Sequence, residues 1–314
     1  MVLAVASSAA FATSGTFAKP LLDAGWSPGA AVTGRIVIAG LLLAVPGVIA
    51  LRGRWPLLRD NLGLVFLYGA LAVAGCQLFY FNAIRTLSVG VALLLEYLGL
   101  VLVVGWNWAR DRRPPGPATM IGVVLAIAGL VLVLDVAGDT TVDLAGVLWG
   151  LGAAVGLATF FVVSANDSSG LPPITMAGAG MFVGATVLGT AAVVGVMPFE
   201  WTTHDVDLAG RTMAYWVPLL GVGLVAGAFS YATGIAAARR LGSKMAAFVG
   251  LTEVLFAVIF AWLFLDEVLA TVQFVGGALI LAGVAAVRAD TDTSTEDLEP
   301  AVGAEPLPDT SAVD

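Results

Sequence analysis

The chain has 314 residues, of which 59% are hydrophobic and 11% are charged, and its mean hydropathy is +0.98. One soluble core of this size cannot bury so much apolar surface, so the composition predicts an integral membrane protein embedded in a lipid bilayer. The formal charge of −8 arises from the segment Ala289 to Asp314, which carries eight carboxylates and no Lys or Arg. The rest of the chain is neutral, so no basic face for nucleic acid is predicted.

Cysteine and histidine are nearly absent, with one residue of each, Cys76 and His204. This count excludes a disulfide framework and any metal site that needs several Cys or His ligands. We therefore expect no metal and no cofactor. Because Cys76 lies within an apolar run, we interpret it as a packing residue.

Ten apolar segments follow one another along the chain, and most of them reach the roughly 20 residues that a helix needs to cross a ~30 Å hydrocarbon layer. They cover residues 2–18, 29–51, 62–84, 89–109, 117–136, 144–164, 174–197, 214–237, 245–265 and 268–288. The fold class predicted is an all-α integral membrane protein with ten transmembrane helices. The first segment lacks a basic N-terminal region, so we expect a retained helix rather than a signal peptide.

Basic residues in the connections are distributed unequally between the two sides of the predicted membrane. Ten Lys or Arg residues fall on one side and three on the other, with Arg35 inside a segment. This positive-inside bias predicts a multi-pass protein of the plasma membrane with both termini in the cytoplasm. The acidic tail, residues 289–314, is predicted to be disordered there because it contains almost no large apolar residues.

The second half of the chain repeats the first. A shift of 154 positions superimposes an ordered set of residues, and a weaker match at a shift of 144 covers the first segments of each half. The pairs at 154 are Ala83 with Ala237, Arg85 with Arg239, Leu87 with Leu241, Ala92 with Ala246, Trp108 with Trp262, Gly122 with Gly276 and Gly129 with Gly283. Five segments per half is an odd number, so equivalent helices cross in opposite directions. We predict two inverted five-helix repeats, residues 1–136 and 137–288.

Two five-helix halves of this kind resemble the drug/metabolite transporter superfamily, in particular its ten-helix EamA-type exporters. The resemblance rests on Phe79–Ala92, on Lys244–Glu253, on Phe264–Glu267, on the glycine pattern of Gly276–Gly283 and on Arg35. It implies a transporter that exports amino acids, related metabolites or foreign compounds. The family often has Glu-Pro where this chain continues from Glu253 into valine, so no proline kink is expected there.

Two carboxylates and one guanidinium lie within the predicted membrane segments. An ionised group at that depth is costly unless it is paired, protonated or in contact with water, so Glu96, Glu253 and Arg35 are candidates for substrate binding or coupling. We hypothesise that at least one of the two glutamates couples transport to proton movement. The alternatives are a buried ion pair between Glu96 and Arg35, and a Glu253 that only caps or bridges helices.

Neutral polar residues on the same predicted helices are further candidates, because polar groups on Ala-, Gly- and Leu-rich helices tend to face the bundle interior. They are Gln77, Tyr80, Asn82, Tyr97 and Tyr231. They can bind a solute or form hydrogen bonds between helices. Aromatic residues nearby can line a central cavity or serve for packing: Phe79, Phe81, Phe160, Phe161 and Phe229.

The function predicted is a secondary active transporter of a small organic metabolite, with a central site between the two repeats. The chain has no phosphate-binding loop of the Gly-x-x-x-x-Gly-Lys-Ser/Thr type, so ATP hydrolysis by this chain is disfavoured. It also has no His-Glu-x-x-His or Gly-x-Ser-x-Gly motif, and we do not expect an enzyme. A passive channel and an intramembrane enzyme remain the alternatives. Substrate identity and oligomeric state are open at this point.

Overall fold

The computed structural model describes residues 1–86, 89–112, 114–133, 143–265 and 271–296. Within these ranges the chain is almost entirely helical. The predicted acidic tail from residue 297 onward lies outside the described residues. The last helix continues to Glu296, so the first eight residues of the predicted tail are helical.

The helices follow the apolar segments, with several interruptions that the sequence pattern does not indicate. Their bounds are α1 Val2–Asp23, α2 Pro28–Leu51, α3 Trp55–Asp60, α4 Leu62–Leu67, α5 Cys76–Thr86, α6 Val89–Tyr97, α7 Gly99–Asp111, α8 Pro117–Val133, α9 Leu144–Ala165, α10 Pro173–Val193, α11 Trp216–Gly221, α12 Ser230–Gly250, α13 Thr252–Leu265 and α14 Thr271–Glu296. Two π-helical segments, Tyr68–Gly75 and Val222–Phe229, connect α4 to α5 and α11 to α12.

Five continuous helical stretches in the described part of the chain are long and apolar enough to cross a membrane. They are Pro28–Leu51, Leu62–Thr86, Leu144–Ala165, Pro173–Val193 and Trp216–Gly250. The last of these covers one predicted segment and the start of the next, because Gly242, with φ of 76°, joins two helices across a kink. Length and composition therefore support a multi-pass membrane protein, and five of the spans are found in the described residues; the full set of ten stays a prediction.

Local residue choices explain where several helices begin. At α2 the Ser27 side chain accepts a hydrogen bond from the Ala30 amide at 3.2 Å, and Pro28 occupies the first turn, where a missing N–H costs nothing. At α9 the carboxylate of Asp143 accepts hydrogen bonds from the amides of Ala145 and Gly146. These caps stabilise helix starts at the positions where the apolar segments begin.

A short β-hairpin follows α10 and was not predicted. Its strands, β1 Val206–Leu208 and β2 Arg211–Met213, pair antiparallel through a two-residue turn in which Ala209 and Gly210 both have positive φ. The loop before it packs on the connection from α1 to α2, where the Trp26 indole donates a hydrogen bond to the Thr202 carbonyl at 3.0 Å. The hairpin region thus covers one end of the helix bundle.

Helices α8 and α14 cross at glycines that the repeat had paired. A Cβ added at Gly122 would lie 2.8 Å from the Gly283 carbonyl oxygen, and one at Gly129 would lie 2.6 Å from the Gly276 carbonyl oxygen. The contact is reciprocal: Gly122 meets Gly283, the repeat equivalent of Gly129, and Gly129 meets Gly276, the repeat equivalent of Gly122. Only glycine permits this distance between helix backbones, and such close packing stabilises helix pairs in lipid.

We expect Gly129→Ala to lower the free energy of unfolding by about 1–3 kcal/mol, because the new Cβ would meet backbone atoms that cannot move aside. Thermal unfolding in detergent measures the effect. Gly105→Ala is the matched control, since nothing lies within 4 Å of a Cβ at Gly105. Equal melting temperatures for the two variants would contradict the close crossing of α8 and α14.

Candidate functional site

The two π-helical segments occupy equivalent positions in the repeat. Adding 154 to the bounds of Tyr68–Gly75 gives those of Val222–Phe229, although the two sequences share little beyond small apolar residues. A π-helical turn is wider than an α-helical turn and frequently marks a functional site. The internal repeat seen in the sequence therefore has a structural counterpart within two of the helical stretches that are long enough to cross a membrane, Leu62–Thr86 and Trp216–Gly250.

Polar side chains bond to the backbone of both π-helical segments. The Tyr231 hydroxyl donates to the Ala72 carbonyl at 3.3 Å, and Arg35 Nη2 donates to the Ala226 carbonyl at 2.6 Å. Ala72 and Ala226 are themselves 154 positions apart. Gln77 and Tyr231 form another such pair, and Gln77 Nε2 lies 3.5 Å from the Tyr231 hydroxyl oxygen, at the outer limit of a hydrogen bond. The two halves of the chain meet at these residues.

Arg35 is held by neutral groups. Its side chain is 1% exposed, and Nη1 donates to Ser14 Oγ at 2.7 Å and to Gln77 Oε1 at 2.6 Å. The guanidinium carbon also lies 5.8 Å from the ring centre of Phe11. The structure contains no ion pair between Arg35 and Glu96, although the sequence had suggested one. Instead Arg35 joins α1, α2 and α5 to the second π-helical segment.

A cavity of about 70 Å³ lies beside these residues, between helices of both halves. Its wall comprises Ala4, Ser7, Ser8, Phe11, Ala12, Ser14, Gly15, Ala72, Cys76, Gln77, Tyr80, Leu93, Glu96, Leu157, Phe160, Phe161, Tyr231, Gly234, Ala237, Ala246, Gly250, Glu253 and Ala257. We call it the central cavity. Among the described residues, its wall contains two carboxylates and no Lys, Arg or His.

Glu96 lies in the last turn of α6, just before the helix is interrupted at Leu98. Its side chain is buried, and the Cys76 thiol donates a hydrogen bond to Oε1 at 3.3 Å. Within the described residues, the second carboxylate oxygen has no hydrogen-bond partner. One oxygen of this carboxylate is thus fixed by the neighbouring helix, and the other is available to a bound group.

Glu253 lies in the first turn of α13, just after an interruption at Leu251. The Tyr97 hydroxyl lies 2.9 Å from Glu253 Oε2 and 2.9 Å from the Gly250 carbonyl oxygen, so it connects the carboxylate to the end of α12. The interruption at Leu251 occurs without a proline nearby. Both carboxylates therefore lie where a helix is broken, which exposes backbone groups and side chains to a site between helices.

We expect Tyr97→Phe to release Glu253 and to lower the free energy of unfolding by about 0.6–2 kcal/mol, the usual range for a hydrogen bond between membrane helices. Thermal unfolding in detergent measures the change. Tyr215→Phe serves as the control, because the Tyr215 hydroxyl makes no hydrogen bond to the described residues. Equal melting temperatures for the two variants would mean that the hydrogen bond between Tyr97 and Glu253 does not stabilise the protein.

Five of the eight candidate residues line the central cavity. They are Gln77, Tyr80, Glu96, Tyr231 and Glu253. Arg35 lies behind Ser14 and Gln77 rather than in the wall. Tyr97 supports Glu253 from outside the wall.

Asn82 is not part of this arrangement. Its amide donates to the Leu78 carbonyl of its own helix at 2.8 Å, and the residue does not line the cavity. A hydrogen bond to the preceding helical turn satisfies the polar group without a partner on another helix. The assignment of Asn82 as a substrate contact is therefore not supported by the structure.

Sequence reasoning missed the contribution of α1 and of Cys76. Ser7, Phe11 and Ser14 line the cavity from one face of α1, at the i, i+4, i+7 spacing of an α-helix. Ser7 Oγ also donates to the Ser230 carbonyl at 2.8 Å. The helical spacing of Ser7, Phe11 and Ser14 is the signal by which the sequence could have indicated this face of α1. Cys76, interpreted as a packing residue, lines the cavity and contacts Glu96.

The aromatic candidates divide into two groups. Phe160 and Phe161 of α9 line the cavity, with ring centres 5.2 Å apart. Phe79 packs against Trp149, Phe81 is fully buried beside Tyr80, and Phe229 is 49% exposed. The packing alternative therefore fits the second group.

A duplicated helical membrane protein with an acidic central cavity is the class that fold and site define, and comparison with known proteins identifies the family. The chain belongs to the EamA-like transporter family, whose model matches it twice, over residues 1–135 and 144–289. The two matched ranges correspond to the two halves related by the repeat. The protein is thus a membrane transporter of the drug/metabolite transporter superfamily.

Individual relatives are distant but cover most of the chain. The threonine/homoserine exporter RhtA of Escherichia coli K12 is 26% identical over 262 residues, covering 77% of this chain and 82% of RhtA. The uncharacterised transporter YwfM of Bacillus subtilis is 26% identical over 227 residues, covering 72% of this chain and 73% of YwfM. A protein crystal structure superimposes with a TM-score of 0.71 at 18% identity, covering 95% of this chain and 98% of that one, which supports the fold alone.

Proposed function

We propose that the chain is a secondary active transporter that exports a small organic metabolite, such as an amino acid, through the plasma membrane. Transport would proceed by alternating access around the central cavity, with the two five-helix halves as inverted repeats within a ten-helix bundle. The observation that carries the proposal is a cavity lined by both halves, with Ala72 of the first π-helical segment and Tyr231, which follows the second, in its wall. The export activity of RhtA supports the direction and the example of an amino acid.

We also propose that protons are the coupling ion and that Glu96 and Glu253 carry them. Both carboxylates line the same cavity, and neither forms an ion pair with a described residue. The other titratable or charged side chains around them are Arg35, Cys76, Tyr80, Tyr97 and Tyr231. Since Arg35 bonds to neutral acceptors, a carboxylate that gains or loses a proton does so without breaking an ion pair.

Counterflow in proteoliposomes tests the transport proposal. Vesicles loaded with unlabelled threonine, homoserine and small amines are diluted into labelled threonine or labelled 1-amino-2-propanol, and protein-free vesicles serve as the control. A carrier accumulates label transiently and saturates as the solute concentration rises. A rate that rises linearly without limit would indicate a channel, and the absence of flux for every solute would contradict the proposal.

A channel is the second candidate, but one observation weighs against it. Channels commonly build selectivity from rings of like groups contributed by several subunits. Here the groups at the centre differ between the halves: Gln77 corresponds to Tyr231, and Glu96 to Gly250, at the shift of 154. Because the two halves contribute different side chains, the cavity suits a single solute site within one chain.

A further inference from the structure

The described wall of the central cavity has acidic side chains but no basic ones. Glu96 and Glu253 contribute two carboxylates, and the described wall holds no Lys, Arg or His. The nearest cation, Arg35, is 1% exposed and already donates to Ser14, Gln77 and the Ala226 carbonyl. A solute that brought its own carboxylate into this cavity would find negative groups without a cationic partner on the wall.

An unpartnered hydroxyl lies in the same wall. Tyr80 is 6% exposed, it lines the cavity, and its hydroxyl makes no hydrogen bond to any described residue. Glu96 likewise keeps one carboxylate oxygen without a partner, because the Cys76 thiol occupies only Oε1. Polar atoms that border a cavity and have no protein partner can accept hydrogen bonds from a bound solute, so these two unused acceptors fit a group that donates hydrogen bonds.

The remaining wall suits the apolar body of a small cation. Phe11, Phe160 and Phe161 contribute aromatic rings, and such rings attract cations through their faces. A cavity of about 70 Å³ accommodates a solute of roughly five non-hydrogen atoms, since one water-sized site needs about 10–15 Å³. An ammonium group has three donors and no acceptor, which matches two carboxylates and a tyrosine oxygen.

We propose that the central cavity selects a small primary amine in its ammonium form, bound through its nitrogen by Glu96 and Glu253, and that it discriminates against the zwitterionic amino acid that carries an additional carboxylate. This inference rests on the proposed role of the cavity as the transport site. It replaces the amino acid of the general proposal with an amine that lacks the carboxylate.

Four related solutes separate the contributions of charge. The amine is 1-amino-2-propanol, its neutral analogue is 1,2-propanediol, its anionic analogue is lactate, and threonine is the amine with a carboxylate added. Binding to the purified full chain in detergent is measured by isothermal titration calorimetry. We expect 1-amino-2-propanol to bind at least about tenfold more tightly than threonine, because the added carboxylate would be buried without a cation. The diol and lactate should bind more weakly still.

Substitutions test whether Glu96, Glu253 and Tyr80 bind the amine. Glu96→Gln and Glu253→Gln should each weaken amine binding at least about tenfold, whereas Glu200→Gln, which alters an exposed glutamate, should leave it unchanged. Tyr80→Phe, which removes one oxygen and keeps the ring, should weaken binding about threefold to tenfold. Size-exclusion profiles and ligand-free melting temperatures establish that each variant is folded, and Tyr80→Phe keeps the test informative if a glutamate variant is not.

Three results would overturn the inference. They are threonine affinity equal to that of the amine, amine binding that survives both glutamate substitutions, and no amine binding at all. Counterflow of threonine in the absence of amine binding would contradict the inference and leave the transport proposal intact. Amine binding without counterflow of any solute would contradict the transport proposal and leave the binding preference intact.

Discussion

The double variant Glu96→Gln, Glu253→Gln should lose uptake driven by an imposed pH gradient. Each substitution keeps the side-chain volume and removes the group that would carry a proton, while the Cys76 and Tyr97 donors retain an amide oxygen as acceptor. A hydrogen bond to a charged group contributes about 1.5–3 kcal/mol, so losing one such contact to a bound solute corresponds to about a tenfold to hundredfold loss in affinity. Proteoliposomes with labelled 1-amino-2-propanol or threonine measure the response.

The single variants separate the two carboxylates. If one glutamate carries the coupling proton and the other only binds solute, one single variant loses the pH response while the other retains it with weaker solute binding. Glu200→Gln is the matched control, because that glutamate is exposed and does not line the central cavity. A double variant that still responds fully to the pH gradient would exclude both residues as the coupling site.

Arg35→Met should produce the largest loss of stability. The substitution leaves Ser14 Oγ, Gln77 Oε1 and the Ala226 carbonyl without their shared donor in the interior of the helix bundle. At about 0.6–1.7 kcal/mol for each hydrogen bond between membrane helices, the free energy of unfolding should fall by about 2–5 kcal/mol. Unfolding in mixed detergent micelles measures the difference.

The matched control is Arg52→Met, which removes the same charge from an exposed position. Arg35→Lys offers an intermediate case, since an ammonium group keeps the charge but lacks the planar fork that bonds to several acceptors at once. Unfolding free energies that are equal for Arg35→Met and Arg52→Met would mean that Arg35 does not join α1, α2, α5 and the second π-helical segment.

The sequence predicted the carboxylates of the site better than their neighbours. Glu96 and Glu253 are conspicuous because a charge in an apolar helix is costly, and both line the central cavity. Cys76 carries no such cost, so its contact with Glu96 could not be distinguished from packing. Ser7 and Ser14 were equally hidden, because a serine on a helix can bond to its own backbone, as Asn82 does.

The fold shows the same division between long-range pattern and local detail. Hydropathy located the helical segments, and glycine spacing predicted the repeat whose members meet at Gly122 and Gly129. The two π-helical segments left no distinctive residues, since both consist largely of Ala, Gly, Val and Leu. The interruptions at Leu98 and Leu251 likewise occur without a proline, so no helix-breaking residue marks them in the sequence.

The contact between Gln77 and Tyr231 bears on the ancestry of the chain. These positions are equivalent in the two halves and touch each other, so in a symmetrical dimer of separate half-length chains this position would face its own copy. Such a homodimer could place only glutamine against glutamine or tyrosine against tyrosine there. Within one chain that restriction does not apply, because the two halves mutate independently. The unlike pair of an amide and a phenol is therefore a contact that two identical half-length chains could not form.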